Sequence, residues 1–416
     1  MDLQYAGSDS IKKRISIMKS IAIITPKIDT FSNPTLILLF ERLIKEQYKI
    51  LFFAFDQLFI PGEIREKIEF HEIPFNFFSF FKRPEPMRRP FDIMKMVKQY
   101  HKLYKLFKVD NKINTMICVD PMGLVYGGRI RKLINVKIIY ASFEIFFEDE
   151  FYDEEKKLIK TLEKEYSVKA DLVIVQDKVR ERLLREENKF RKETKFIHIP
   201  VSPQYSEADK TGFDIYSELK IPKDKTIVVY SGNLQRWSGI NEILDLFPDK
   251  WNNDFWFVIH SHFILEENNL LKLRLDEMIK DNMNITFHNK PFYHTKDYNS
   301  FLSCCHIGLA VYIPNTIDFF AGKNIIEIGL SSGKFSTYMM LELPTVTTSN
   351  SIYKELNEIY NFGETIKDIE ELPEKLEKIK SNYTLKTNGC REIFKKELDP
   401  SSRIDMLMKQ IDEFSK

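Results

Sequence analysis

Glycine is scarce in this chain, 14 residues in 416, and cysteine scarcer still at four. Cys118, Cys304, Cys305 and Cys390 show no C-x-x-C spacing, and the first three lie in apolar runs. That excludes a disulfide framework and points to a reducing compartment. Neither sign of charge is in excess: 62 Lys and Arg oppose 61 Asp and Glu, a net of +1. A protein whose whole surface grips nucleic acid is thereby excluded, and any basic patch must be local. Long apolar runs are also missing. A membrane-spanning helix needs about 20 largely apolar residues, whereas ILLFERLIKEQYKILFFAF (37–55) is broken by charges and FNFFSFF (75–81) is too short. The N-terminal stretch MDLQYAGSDSIKKRISIMKS lacks the apolar segment of a secretory signal. A cytoplasmic protein, at most peripheral on the inner face of a membrane, is expected. The first strand begins just after Met18, so residues 1–17 read as an extension ahead of a natural start.

What is present is a globular composition, 43% hydrophobic and 30% charged. Single cores stop growing near roughly 250–300 residues, so two domains are expected. Short apolar runs alternate with helical patterns along the chain. SIAIIT (20–25) reads as a strand buried on both faces. Asn33 before Pro34 reads as a capped helix start, with Leu36, Leu39, Phe40 and Leu43 on one buried face. KILFFAF, a strand near 68–73, a helix near 91–107, TMICVD, a helix past Gly123, VKIIYAS, a charged helix around 154–166, DLVIVQ, a helix from Val179 and KFIHIP follow. Between Pro200 and Lys225 the pattern gives way to a connection rich in Pro, Ser, Asp and Lys. TIVVYSG opens a second alternation, through DFWFVIH, NITFHN and HIGLAVY to PTVTT. Strands separated by helices pair in parallel through right-handed crossovers. The expected fold class is therefore α/β: two tandem Rossmann-like, doubly wound parallel-sheet domains, 18–205 and 206–399, facing a central cleft, with a C-terminal helix over 400–416.

In the second half, HIGLAVY precedes a helix that starts with Ser331-Ser332-Gly333-Lys334 and is stopped at Leu343-Pro344. Exposed amides at a helix start, two hydroxyls and an ammonium suit a diphosphate. The same residues also read as an ordinary capped helix with a solvated Lys334. TIVVYSGNLQRWSGI supplies another such turn, with Gly232 permitting close backbone approach, Arg236 able to reach an anion and Gly239 opening a helix. Both turns belong to one domain and should face one cleft, which favours a phosphate-bearing ligand over either turn read alone.

With these residues in view, the chain resembles the GT-B glycosyltransferases, in particular family-4-like enzymes of bacterial surface-polysaccharide synthesis. The resemblance rests on Tyr230-Ser231-Gly232-Asn233, on Ala170 to Asp177 followed by Arg180, and most specifically on Ser331 to Lys334 with Tyr338 and Leu343-Pro344. It runs from Met18 to the C-terminus. It implies a C-terminal domain that grips a nucleotide-diphosphate-sugar donor, with no metal and no resident cofactor, and an N-terminal domain that presents a glycan or lipid-linked acceptor. The donor-binding residues it implies are Gly232, Asn233, Arg236, Phe292, Asn324, Ser331, Ser332, Gly333, Lys334 and Thr337. Some positions depart from the pattern. Asn233 and Ser238 stand where relatives place basic residues, Thr337 where many carry a ribose-binding glutamate, and Glu342 where glycine precedes Leu-Pro.

Asp120 in ICVDPMG and Glu144 in YASFEIFFEDE follow strands of the first half, where a catalytic base or a sugar-binding carboxylate would sit. A helix-capping aspartate and a solvated glutamate are the plain alternatives. His260 and His262 have no third ligand in the pattern, so no metal site is expected. Phe292 and Tyr293 follow NITFHNK, where the resemblance implies stacking on a nucleobase and core packing is the alternative. The segment Phe75–Lys108 sets aromatics before Lys82, Arg83, Arg88 and Arg89, then Lys95, Lys98, Lys102 and Lys105 on one side of a helix. Its Ile93, Val97, Tyr100, Tyr104 and Phe107 stripe reads as core. The basic face beside aromatics suits an anionic membrane surface, useful for a lipid-linked acceptor. No nucleic-acid-binding motif accompanies it. The expected activity is metal-independent glycosyl transfer; a nucleotide-sugar epimerase and a non-catalytic nucleotide-binding scaffold subunit are the alternatives.

Overall fold

The computed structural model describes residues 19–25, 33–54, 60–72, 101, 104–150, 154–207, 209–292, 294–318 and 320–415. The expected extension 1–17, Tyr293 and most of the Phe75–Lys108 segment lie outside the described residues. The described end of that segment is committed inward. Phe107 is buried, and Lys108 Nζ donates to the carbonyls of Asn135 at 2.8 Å and Ile113 at 3.1 Å.

The first half carries strands β1 (Ser20–Ile24), β2 (Lys49–Ala54), β3 (Ile68–Glu72), β4 (Thr115–Val119), β5 (Lys137–Ala141), β6 (Leu172–Val175) and β7 (Lys195–His198). They form one parallel sheet in the order β3-β2-β1-β4-β5-β6-β7. The alternation of side chains explains why β1 is apolar throughout. Ile21 and Ile23 feed one core, while Ala22 and Ile24 feed the core on the opposite face. Helix α1 (Pro34–Lys45) starts as its sequence requires, with the Asn33 carboxamide oxygen accepting from Thr35 N at 3.0 Å and Leu36 N at 3.3 Å. Helix α2 (Asp120–Leu133) begins at Asp120 itself rather than past Gly123. A Cβ on Gly123 would stand 2.7 Å from the Ile24 carbonyl, so glycine lets α2 lie close against β1. Helix α3 (Lys178–Glu187) is capped by Asp177.

The second half repeats the plan with β8 (Thr226–Ser231), β9 (Phe255–His260), β10 (Ile285–His288), β11 (Ile307–Ala310), β12 (Thr345–Thr348) and β13 (Gly363–Ile366), in the parallel order β10-β9-β8-β11-β12-β13. Between β11 and β12 run a short helix α4 (Lys323–Ile326) and the helix α5 (Gly333–Met340). Strand order reverses between β1 and β4 and again between β8 and β11, and such reversals open a crevice at the carboxyl ends of the strands. β13 had no counterpart in the sequence reading, because GETI is four residues long and carries no period of its own. The last helix, α6 (Ser401–Phe414), returns to the first half. Ile404, Leu407, Met408 and Ile411 are buried in the same cluster as Ile21, Leu36 and Phe40, and Arg42 pairs with Asp405 at 2.6 Å. Burying each such side chain is worth about 1.5–3 kcal/mol.

Candidate active site

The turn at Ser331–Lys334 follows a single 3-10 turn over Gly329–Ser331. Ser332 is buried and its hydroxyl caps α5, accepting from Phe335 N at 3.0 Å, with the Tyr312 hydroxyl as a further partner. Ser331 Oγ donates to Gln176 Oε1 at 3.1 Å, across to the first half. Thr337 turns its hydroxyl onto its own helix, donating to the Gly333 carbonyl at 2.8 Å. The capping half of the plain reading is therefore present in the geometry; a solvated lysine is not. Lys334 Nζ is shielded from solvent with no hydrogen-bond partner, 3.4 Å from the centroid of the Tyr230 ring and 5.1 Å from that of Tyr312. Burial pushes its pKa well below the usual lysine value.

The Tyr230–Asn233 turn meets this lysine. Gly232 has φ +154°, and a Cβ there would stand 3.2 Å from Lys334 Cε, so both backbone conformation and space call for glycine. The Tyr230 hydroxyl donates to the Asn233 carbonyl at 2.6 Å, and Asn233 Oδ1 accepts from Gln235 N at 3.1 Å. Arg236 lies exposed in the 3-10 turn Arg236–Ser238 and makes no hydrogen bond or ion pair among the described residues. Phe292 is half-buried in an aromatic cluster, its centroid 5.1 Å from that of His260 and 5.2 Å from that of Phe301. Those contacts account for its ring as core packing. His260 Nδ1 lies 3.0 Å from His288 Nδ1, and burial first, then the neighbouring His262 and His288, lower its pKa to about 3. No group of three or more His, Cys, Asp or Glu side chains suited to a metal occurs among the described residues.

In the first half, Asp120 is buried with φ +57°, a left-handed conformation that costs a non-glycine residue about 1–3 kcal/mol. Its Oδ1 accepts from Phe143 N at 2.8 Å and Glu144 N at 2.9 Å, holding the turn after β5. Glu144 itself is half-buried on that turn. Arg180, 1% exposed, donates to Gln176 Oε1 and to the Phe143 carbonyl at 2.7 Å each, and to Asn324 Oδ1 at 3.1 Å. Burial lowers its pKa, opposed by the charges of Glu144, Asp177 and Asp120. Asn324, expected beside the donor, is turned to the facing half: its amide accepts from Ile145 N at 2.9 Å and donates to the Ile145 carbonyl at 2.7 Å. Asp177 bridges likewise. It caps α3 through Oδ1 and accepts from Leu330 N through Oδ2 at 3.0 Å.

No family model matches the chain, and no curated protein matches its sequence. Solved structures do share its architecture. They include HepE of Anabaena in complex with UDP and glucose (TM-score 0.66, 11% identity, 95% of this chain and 100% of that one), a glycosyltransferase of Rickettsia africae (0.66, 14%, 96% and 99%) and sucrose-phosphate synthase of Thermosynechococcus elongatus (0.64, 13%, 95% and 98%). The fold is GT-B.

On this GT-B frame two groups of the sequence-predicted residues come together, while Arg236 lies exposed and Phe292 packs with His260 and Phe301. Gly232 and Lys334 come into contact, and Ser331, Ser332 and Gly333 lie at the start of the same helix. Asp120 and the Glu144 turn form a second group, and Asn324 joins that group from the opposite side of the cleft. Sequence reasoning missed Tyr230 as the platform under Lys334 and Arg180 as a bridge. The arginine was visible after ADLVIVQD, but a partner 144 residues away was not. No helix among the described residues is long and apolar enough to cross a membrane.

Proposed function

We propose that the chain transfers a sugar from a nucleoside-diphosphate sugar to a hydroxyl of a glycan or lipid-linked glycan in surface-polysaccharide assembly. The observation that carries this is the shielded Lys334 Nζ, without a hydrogen-bond partner, beside Gly232 at the carboxyl end of β8. A buried cation without a partner is costly, and a diphosphate would supply one. Lys334, Arg236 and the amide groups of Gly333 and Lys334 at the start of α5 would neutralise charge as it develops on the leaving diphosphate. The Gly232 turn gives the phosphates close access to the backbone. Opposite them, Glu144 would receive the acceptor, as base if configuration inverts and as a sugar ligand if it is retained. Asp120 would hold the Glu144 turn. These side chains supply the positive charge themselves, so the reading uses no metal or cofactor. UDP is the first nucleotide to try, since HepE was solved with it. The basic, aromatic Phe75–Lys108 segment would bring the protein to an anionic membrane surface.

The other reading with an observation behind it is a non-catalytic nucleotide-binding scaffold. Ser332 and Thr337 have partners within the chain already, and Asn324 is engaged across the cleft. Thermal shift with UDP, GDP, ADP, TDP and CMP, on the native protein and on Lys334→Ala, together with release of UDP from UDP-glucose, separates the two. Glycosyl transfer requires a diphosphate-dependent shift that Lys334→Ala loses and turnover that falls at least about tenfold, as for one lost charge-assisted contact. Binding without turnover across donors and acceptors means the scaffold. No shift with any nucleotide refutes the donor site.

A further inference from the structure

The turn Phe143–Ile145 has every backbone polar group paired, and the partners come from both halves of the molecule. Asp120 takes the amides of Phe143 and Glu144, Arg180 donates to the Phe143 carbonyl, and Ser142 Oγ reaches the Glu144 carbonyl at 3.3 Å. The remaining two groups, the amide and carbonyl of Ile145, are satisfied by the Asn324 carboxamide, which belongs to α4 of the C-terminal half. Arg180 ties the two sets together because the same guanidinium nitrogen donates to Phe143 O and to Asn324 Oδ1.

Other contacts across the cleft gather around this turn. The Phe320 and Phe146 ring centroids are 4.9 Å apart, Lys323 N donates to Glu150 Oε1 at 2.6 Å, and Lys323 Nζ pairs with Asp149 at 2.6 Å. Were the halves to separate, Ile145 would lose both of its partners at once, and Arg180 two of its acceptors, Asn324 Oδ1 and the Glu327 carbonyl. In an opened molecule water would take those places, and the Ile145 end of the turn would lose its anchor while Asp120 keeps hold of Phe143 and Glu144.

We propose that Asn324 and Arg180 are positioning residues that complete the acceptor site on domain closure: Asp120 holds the Phe143–Glu144 end of the turn, and its Ile145 end is fixed only when α4 is docked on it. This rests on the reading of Glu144 as the acceptor-side carboxylate. The consequence is protective. A donor held on the open C-terminal half faces a carboxylate whose turn is anchored at one end only, so it is spent slowly before the two halves meet.

The test uses the full chain with Asn324→Ala and Asn324→Asp, the second keeping an acceptor for Ile145 N and Arg180. Amide exchange at Ile145 should quicken at least about tenfold in Asn324→Ala, with the UDP thermal shift unchanged. With UDP-glucose as probe, kcat for UDP release should fall at least about tenfold at unchanged KM, and Asn324→Asp should recover most of it. A variant that exchanges like the native protein, or whose KM rises in step with the loss of kcat, overturns the proposal. Should Asn324→Ala not fold, Asn324→Asp with Arg180→Lys carries the same comparison. A native protein that shifts with none of UDP, GDP, ADP, TDP and CMP removes the donor reading and this one with it; one that shifts with another of them moves the same comparison to that nucleotide and its sugar. A native protein that shifts with its nucleotide and releases it from the sugar while Asn324→Ala changes nothing removes this one alone.

Discussion

Lys334→Met keeps the aliphatic stem and deletes the charge, and the geometry predicts opposite effects with and without ligand. In the ligand-free protein the shielded Nζ has no hydrogen-bond partner and rests 3.4 Å over Tyr230. An unmade hydrogen bond to a buried charged group costs about 1–3 kcal/mol or more, while a desolvated cation over an aromatic face returns about 2 kcal/mol. Removing both should leave Tm unchanged or raise it, by about 2–4 °C per kcal/mol. With UDP the sign inverts. Native protein at 100 times its Kd gains about 2.7 kcal/mol. One lost charge-assisted contact weakens binding roughly a hundredfold, which leaves about 0.4 kcal/mol at the same UDP concentration. The pH dependence follows from the lowered pKa of Lys334. Between that lowered value and the ordinary lysine value the unfolded chain binds the extra proton, so native stability rises with pH there. Any excess stability of Lys334→Met at neutral pH should therefore shrink as pH rises towards 10.5, the ordinary lysine value. Differential scanning fluorimetry from neutral pH upward, with and without UDP, reads all of this. A variant of lower ligand-free Tm that keeps its UDP shift refutes the reasoning.

Gly232→Ala should lower Tm and weaken the UDP shift together, because it strains a φ of +154° and presses on Lys334; an unchanged shift in scanning fluorimetry would separate the turn from the lysine. Asp120→Ala strips the acceptor from two amides and should cost at least about 2 kcal/mol in urea unfolding; loss of activity with native stability would make it a reacting group instead. Glu342→Gly relieves a φ of +58° worth about 1 kcal/mol but loses the exposed pair with Arg391 at 2.7 Å, worth about 0.2–1 kcal/mol, so a net gain in Tm of a few degrees at most is expected. Chelation with EDTA should leave UDP release from UDP-glucose unchanged.

The sheets were legible because their cause is local. Runs such as SIAII and TIVVYS must be apolar on both faces to sit between two cores, and that shows in a handful of consecutive residues. The Asn33-Pro34 helix start was legible for the same reason. So was the meeting of the turns at Gly232 and Lys334, since each follows a strand of the same sheet. What the sequence withheld are pairings whose partners lie far apart in the chain. Asn324 looked like a donor ligand, yet its carboxamide belongs to a residue 179 positions away. Asp120 looked like a reacting carboxylate or a cap, and one oxygen instead organises a turn 23 residues downstream. Lys334 read as diphosphate ligand or solvated side chain; that it lies over Tyr230 follows from how β8 and α5 pack, which no local pattern encodes.

The return of α6 to the first sheet has a mechanical meaning. The polypeptide passes from one half to the other after β7 and passes back before Ser401, so two covalent tethers join the halves instead of one. A single tether would allow swivelling in any direction. Two tethers act as paired pins, Tyr205 beside the first lying ring to ring with Phe394 ahead of the second at 6.0 Å, so that swivelling about either one is resisted by the other. Because Ile404, Leu407, Met408 and Ile411 are buried beside α1, the second pin is seated in the hydrophobic core of the N-terminal half.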